Sequence, residues 1–317
     1  MTRRLLPYIG LVLAAFTLFS CKKKEEETTT KPYLYGVTFD LATFARPGDT
    51  FTLKPYGVFT TEGEGVDEPI YKWRVNSDEF QTTDTFTVKF EEVGNYTITC
   101  QASDPDENYY ATSTSKIIIV IDPALGETLN GTGIDEDDPH ITDPRDAYGE
   151  NDYFYARIGD LDWFRNNLAY TGLGLAYENA DVTSYPIGRF YTWGEAMDAC
   201  PEGWRLPTAE EWATLGKEAA PLLADAYLNS KRMWEYWPAA PRTNTTTLAI
   251  IPSGYALPSL TTPTFKRMYD YAAFWTASEH PEDGSLARYF YIFTEENEVR
   301  STYGEKGSLA LSVRCVR

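Results

Sequence analysis

The chain has 317 residues, 43% of them hydrophobic and 15% aromatic, and a formal net charge of −19. That length fits two domains, each with enough apolar material for its own core. The acidic surface repels phosphate backbones, which makes nucleic acid a poor partner, and the only two histidines, His140 and His280, lie far apart and offer no footing for zinc or imidazole catalysis.

Residues 1–20 read as a targeting segment. Arg3 and Arg4 supply a positive start and 5–19 an apolar run. The run is too short to favour a permanent membrane span. It ends in Leu18-Phe19-Ser20-Cys21, which resembles a bacterial lipobox. The resemblance implies cleavage before Cys21 and lipid on its sulfur, with several acyl chains holding the protein to a bilayer. Residues 21–32 are a charged, Thr-rich tether with nothing to bury. Within it, Glu25-Glu26-Glu27 resembles the acidic export cluster of Bacteroidetes lipoproteins. That implies an outer-membrane protein displayed at the surface; the alternative is one facing the periplasm.

Residues 33–122 carry the two-residue period of half-buried strands. Phe86, Val88 and Phe90 alternate with polar neighbours, as do Tyr96, Ile98, Cys100 and Ala102, and shorter runs precede both. Short strands separated by turns predict an all-β, immunoglobulin-like sandwich. The stretch Val93-Gly94-Asn95-Tyr96-Thr97-Ile98-Thr99 resembles a strand of polycystic-kidney-disease-type (PKD) domains. The resemblance implies a PKD-like spacer, with Trp73 buried on the sheet facing that strand. Cys100 reads as a small buried apolar residue rather than a reactive thiol.

Residues 123–142 read as an acidic linker. Asp135-Glu136-Asp137-Asp138 should repel one another and keep it extended. No cofactor is implied. Calcium capture by carboxylates is the alternative reading, but an EF-hand loop is not spelled out.

From 143 to 317 the signals change. Thr192 and Glu195 form a capping box, and Trp193, Ala196, Met197 and Cys200 fall on one face of the helix that it opens. Thr208 and Glu211 form a second box behind Pro207, with Trp212 and Leu215 on one side of the next helix. Leu309, Leu311, Val313 and Cys315 alternate with Ser308, Ala310, Ser312 and Arg314, the pattern of a strand with one buried face.

Between the helices stands Cys200-Pro-Glu-Gly-Trp-Arg-Leu-Pro-Thr-Ala-Glu-Glu-Trp212. It resembles the signature of the Fibrobacter succinogenes major paralogous domain. Asp143-Pro144-Arg145-Asp146, Ile158 to Trp163, Phe274 to Glu279 and Ser312 to Val316 resemble the rest of that domain, in its order. The resemblance implies an α+β, C-type-lectin-like fold over 143–317, tryptophans used mainly as core, and a closing strand that brings Cys315 to Cys200 for a disulfide. Arg205-Leu206-Pro207-Thr208 also resembles the formylglycine-generating enzymes, but their late cysteine pair is missing, so that activity is not implied.

In the wider lectin-like fold, long loops of the middle region contact ligands. Here those positions hold Trp234, Tyr236, Trp237, Tyr255, Arg267 and Tyr269, aromatics and a cation suited to sugar faces and hydroxyls. Their other reading is that they close the core beneath a long loop. The calcium-and-sugar motifs of true C-type lectins are absent, as are serine-elbow, phosphate-loop and zincin motifs. The sequence therefore predicts an envelope protein binding glycan, without enzyme activity. The alternatives are an adhesin or structural component that meets another protein, and a hydrolase working through two carboxylates.

Overall fold

In the computed structural model, which describes residues 30–122, 128–145, 151–234 and 241–317, residues 33–122 form strands and no helix. Five strands make one sheet in the order Phe44–Ala45, Thr112–Val120, Gly94–Ser103, Ile70–Val75 and Gln81–Thr82. Two smaller pairs, Thr50–Leu53 with Phe86–Lys89 and Thr38–Phe39 with Pro55–Tyr56, supply the second layer. The alternating residues meet between the layers: Phe39, Leu53, Phe86 and Phe90 from one side, Trp73, Ile98, Cys100 and Ile118 from the other. Trp73 stacks on Phe86 with ring centroids 5.5 Å apart and meets the edge of Phe39 at 5.0 Å. The placement of Trp73 opposite the Gly94 strand needs correction. Its strand pairs directly with that strand, Trp73 beside Cys100, so both belong to one sheet and share its inner face. Cys100 is fully buried, and burial pushes its thiol up to about 12, which keeps it protonated and inert.

The acidic linker is also corrected, from residue 128 onward. Leu129–Asn130 pairs with Tyr227–Leu228, and His140–Asp143 pairs with Asn151–Ile158. The expected repulsion is offset by one cation. The buried guanidinium of Arg165 binds Asp138 and also donates to the Gly133 carbonyl at 2.5 Å. Asp138 also closes a turn, with Asp135 N–H donating to its Oδ2 at 2.8 Å. The segment is thus part of the second domain.

Both capping boxes form as the sequence predicts, opening the helices Trp193–Ala199 and Ala209–Ala213. The apolar face of the first is narrower than expected. Ala196 and Ala199 are buried, whereas Met197 is 43% exposed. Beyond the helices, an antiparallel sheet of Tyr271–Glu279, Leu286–Phe293 and Val299–Glu305 forms the floor of the domain. Trp212 packs on that floor, stacked on Phe274 at 5.1 Å and Phe290 at 5.7 Å.

The terminal segment departs from a one-faced strand. Ala310 to Val316 are all buried, Ser312 and Arg314 included. The reason is that backbone lies on both sides. Leu311 pairs with Tyr191, Ser312 with Phe274, and Val316 with both Arg205 and Trp163. The tail runs between the two halves of the domain core instead of covering one. Arg314 is met there by uncharged oxygens: Asn167 Oδ1 at 2.7 Å, Leu248 O at 2.8 Å, Phe164 O at 2.9 Å and Ala249 O at 3.2 Å. Burial lowers its pKa to about 9. Next to it, Cys315 is bonded to Cys200, with Cα atoms 5.9 Å apart.

The two domains touch. Phe44 and Ile121 of the first pack with Val182 and the half-buried Tyr177 and Met268 of the second. Asn229 Nδ2 donates to the Val120 carbonyl at 3.1 Å. Among the described residues no helix is long and apolar enough to cross a membrane.

Candidate ligand cleft

The middle strand of the three-stranded floor is amphipathic in an unusual way. Along Leu286–Phe293, Phe290 and Ile292 face one core cluster, while Tyr289, Tyr291 and Phe293 face the other side and stay half-buried, the two tyrosines packed against the second cluster. Period two on a strand places those three rings in one row. Tyr271 on the adjacent strand joins the row, its ring 5.6 Å from Tyr291. Tyr255 closes one end, edge-on to Tyr271 at 5.6 Å.

These rings floor an open cleft of about 500 Å³. Leu257, Leu309 and Leu311 form an apolar wall, and Arg267, Arg300 and Glu296 supply the charged rim. The volume lies within the usual range for ligand pockets. Each charge is oriented by neighbours. Arg267 is bonded to Asp270 through Nε at 3.2 Å and Nη2 at 3.0 Å, and its guanidinium lies 4.3 Å from the Phe293 ring centre. Arg300 contacts Glu298 at 3.0 Å and Glu296 at 3.1 Å. The rim is therefore close to neutral. Burial, with the neighbouring Tyr289 next, pushes the Tyr271 phenol well above its ordinary value, and burial raises Tyr289 as well. Both remain hydroxyls at physiological pH, able to donate and accept.

The cleft depends on a close backbone approach. Gly254 has φ of 81°, and a Cβ there would sit 2.2 Å from the Lys266 carbonyl. Only glycine lets the strand Tyr255–Leu257 start against the turn that follows Thr264–Lys266. That turn holds Arg267 and Tyr269 at φ of 63° and 81°, a strained conformation for side-chain-bearing residues.

Of the six residues expected at a ligand site, Tyr255 and Arg267 line the cleft. Trp234 does not, and this corrects the sequence reading. It is 2% exposed, packed in the core with Leu222, Leu248 and Ile250, with Nε1 donating to the Ile250 carbonyl at 3.4 Å. Its ring cannot stack on a ligand. Tyr269 points elsewhere, under the Lys231 ammonium at 3.9 Å. Tyr236 and Trp237 lie outside the described residues. The cleft adds Tyr271, from the end of the same middle region, and Tyr289, Tyr291, Phe293, Glu296 and Arg300, which the motifs do not mark. Their signal is the alternation itself, aromatics on both faces of one strand, of which one face meets one core cluster and the other is shared between the second cluster and the cleft.

Among the described residues no three His, Cys, Asp or Glu side chains gather as a metal site. The cleft can stack flat apolar faces, exchange hydrogen bonds through phenols and guanidinia, and pair with a carboxylate. A comparison with curated proteins found no match. The family model of the Fibrobacter succinogenes major domain matches residues 156–317, a stretch that contains the cleft, the disulfide and both capping boxes. That match spans just over half of the 317 residues, and the chain belongs to this family.

Proposed function

We propose that this protein is a cell-envelope lipoprotein whose C-terminal domain binds an extracellular glycan in the tyrosine cleft, without catalysing a reaction. The observation that carries the reading is the row of Tyr255, Tyr271, Tyr289 and Tyr291 in an open cleft with a nearly neutral rim. A sugar ring has one apolar C–H face and a rim of hydroxyls. Half-buried phenols offer both complements at once, at low side-chain entropy cost. The C-type-lectin-like assignment for the C-terminal domain rests on the motif resemblance, as does the PKD-like, immunoglobulin-like assignment for the sandwich. The anchor rests on the Leu18 to Cys21 pattern, which lies outside the described residues, and surface display on Glu25-Glu26-Glu27.

Affinity gel electrophoresis tests the site. The protein is run through gels holding neutral and uronic-acid polysaccharides, beside a Tyr289→Ala, Tyr291→Ala variant. Both residues line the cleft and also pack against the second core cluster, so the melting temperature of the variant is read beside its migration, and only a folded variant is scored. Retention by at least one neutral polysaccharide, lost in the variant, is the expected result. Migration unchanged in every gel would move the reading to a protein partner, and turnover of a retained polysaccharide to a hydrolase.

A further inference from the structure

The N-terminal domain carries aromatic residues that its own core does not use. Tyr33 is 64% exposed and Tyr110 46%, and Tyr35 and Phe59 are also exposed. They are paired across backbone bridges. Tyr33 lies beside Tyr110 with ring centroids 4.9 Å apart, and Tyr35 beside Phe59 at 5.9 Å. Tyr33 and Tyr35 are two residues apart in extended chain, so their side chains leave on one side and the two pairs stand next to each other. The Lys31 ammonium lies 5.6 Å from the Tyr110 ring centre.

The position of this patch is informative. The strand Thr112–Val120 begins two residues after Tyr110 and ends where the second domain docks, at Val120 and Ile121. Nine residues of strand separate the two places by about 30 Å. The partner strand agrees: Ala102 pairs at the Thr112 end, and Asn95 at the Ile119 end, near Asn229 of the second domain. The aromatic patch and the cleft-bearing domain thus occupy opposite poles of the sandwich. The chain enters the sandwich at the patch, with Lys31 over the Tyr110 ring and Tyr33 bridged to Tyr110. From Cys21 to Tyr33 there are twelve residues, a reach of at most about 40 Å.

We infer that the Tyr33, Tyr35, Phe59 and Tyr110 pole rests on the headgroup layer of the membrane that holds the lipid of Cys21, so that the second domain faces away from it. The inference rests on the lipid-anchor reading. Its chemistry is that of interfacial aromatics, apolar in the ring and polar at the hydroxyl, which settle at headgroup level. Glu62, Glu64, Asp106 and Glu107 sit in the turns next to Phe59 and Tyr110. With these carboxylates beside it, the patch makes its contact through the rings and not through net positive charge, so zwitterionic lipid is the probe for it. The sandwich on this view sets orientation as well as height.

The test uses the full, lipidated chain in vesicles of phosphatidylethanolamine and phosphatidylcholine. Intact mass first reports the acyl chains. A nitroxide is placed at Glu62→Cys, beside the patch, and in a second sample at Glu282→Cys in the other domain. Cys100 is buried and Cys200 and Cys315 are bonded, so the introduced thiol takes the label. Accessibility to oxygen relative to a water-soluble nickel chelate should be severalfold higher at 62 than at 282. In a chain carrying Tyr33→Ser, Tyr35→Ser, Phe59→Ser and Tyr110→Ser the two labels should become alike. Equal values in the unsubstituted background overturn the inference, and that comparison does not depend on the fourfold variant folding. A concentration-dependent dimer of the Cys21→Ser chain, lost on the fourfold substitution, assigns the patch to a second copy instead. Absence of acyl mass removes the anchor, and with it this inference, while leaving the cleft reading untouched.

Discussion

The two domains solve the same problem, burying aromatic residues, by different means. In the sandwich the large rings come from strands that alternate, and each strand pairs with neighbours through regular ladders. In the second domain the core is closed by a tail that crosses between two clusters, held by isolated bridges, a buried arginine and a disulfide. The first rests on ladders throughout, some joining residues as far apart as Phe44 and Ile119. The second spends its stability on a few contacts between residues far apart in sequence. It follows that the sandwich should lose stability in proportion to the apolar volume removed, whereas the second domain should depend on a few junctions.

Four measurements test that contrast. The largest effect belongs to the disulfide. Cys200 and Cys315 close a loop across a sequence separation of 115, worth up to about 5 kcal/mol in the chain-entropy model. Cys200→Ser with Cys315→Ser should therefore lower the melting of the second domain and leave the sandwich transition in place. Calorimetry in which both transitions fall together would show that the domains melt as one unit. Next, Trp73→Ala removes a fully buried ring stacked on Phe86 and should cost the sandwich about 4 kcal/mol, read by urea unfolding. A loss under about 1 kcal/mol would mean that its layers collapse to refill the space.

A cap is worth less. Thr208→Ala removes the acceptor of the Glu211 N–H and should destabilise the second domain by about 1 kcal/mol. The smallest effect is electrostatic. The Arg205 guanidinium, then the Thr208 backbone, hold the Glu211 carboxyl below its ordinary value of 4.5. A carboxyl lowered on folding adds stability above its unfolded value, and that stability is lost as pH falls through the folded one. For a pair open to solvent this is under about 1 kcal/mol. Glu211→Gln should therefore lower the melting temperature of the second domain slightly at pH 7, where the carboxylate contributes, and the two profiles should converge as pH falls below 4.5, which flattens the acid slope of the variant. An unchanged acid slope would place the acid sensitivity elsewhere, with Asp225 beside Arg232 and Arg242 as the next candidate.

The candidate site shows how uneven sequence information is. Tyr255 and Arg267 could be singled out because they sit in a segment where the motifs thin out. Trp234 was singled out on the same ground and is core, because a tryptophan in a motif-poor loop looks the same in sequence whether it folds inward or outward. Tyr289 and Tyr291 were passed over although their alternation is regular, since alternation names two faces without saying what lies against each. The acidic run at 135–138 misled for a related reason: the cation that neutralises Asp138 is Arg165, 27 residues away.

Legible in the chain alone is whatever depends on close neighbours: both capping boxes, the alternating strands of the sandwich, and membership of the family through spaced motifs. The tertiary structure alone decided which aromatic face stays open, which carboxylates are neutralised, and why Ser312 and Arg314 are buried beside Leu311 and Val313. Capping and pleating are set by bonds within a few residues. Burial and charge compensation are set by whatever part of the chain arrives from elsewhere.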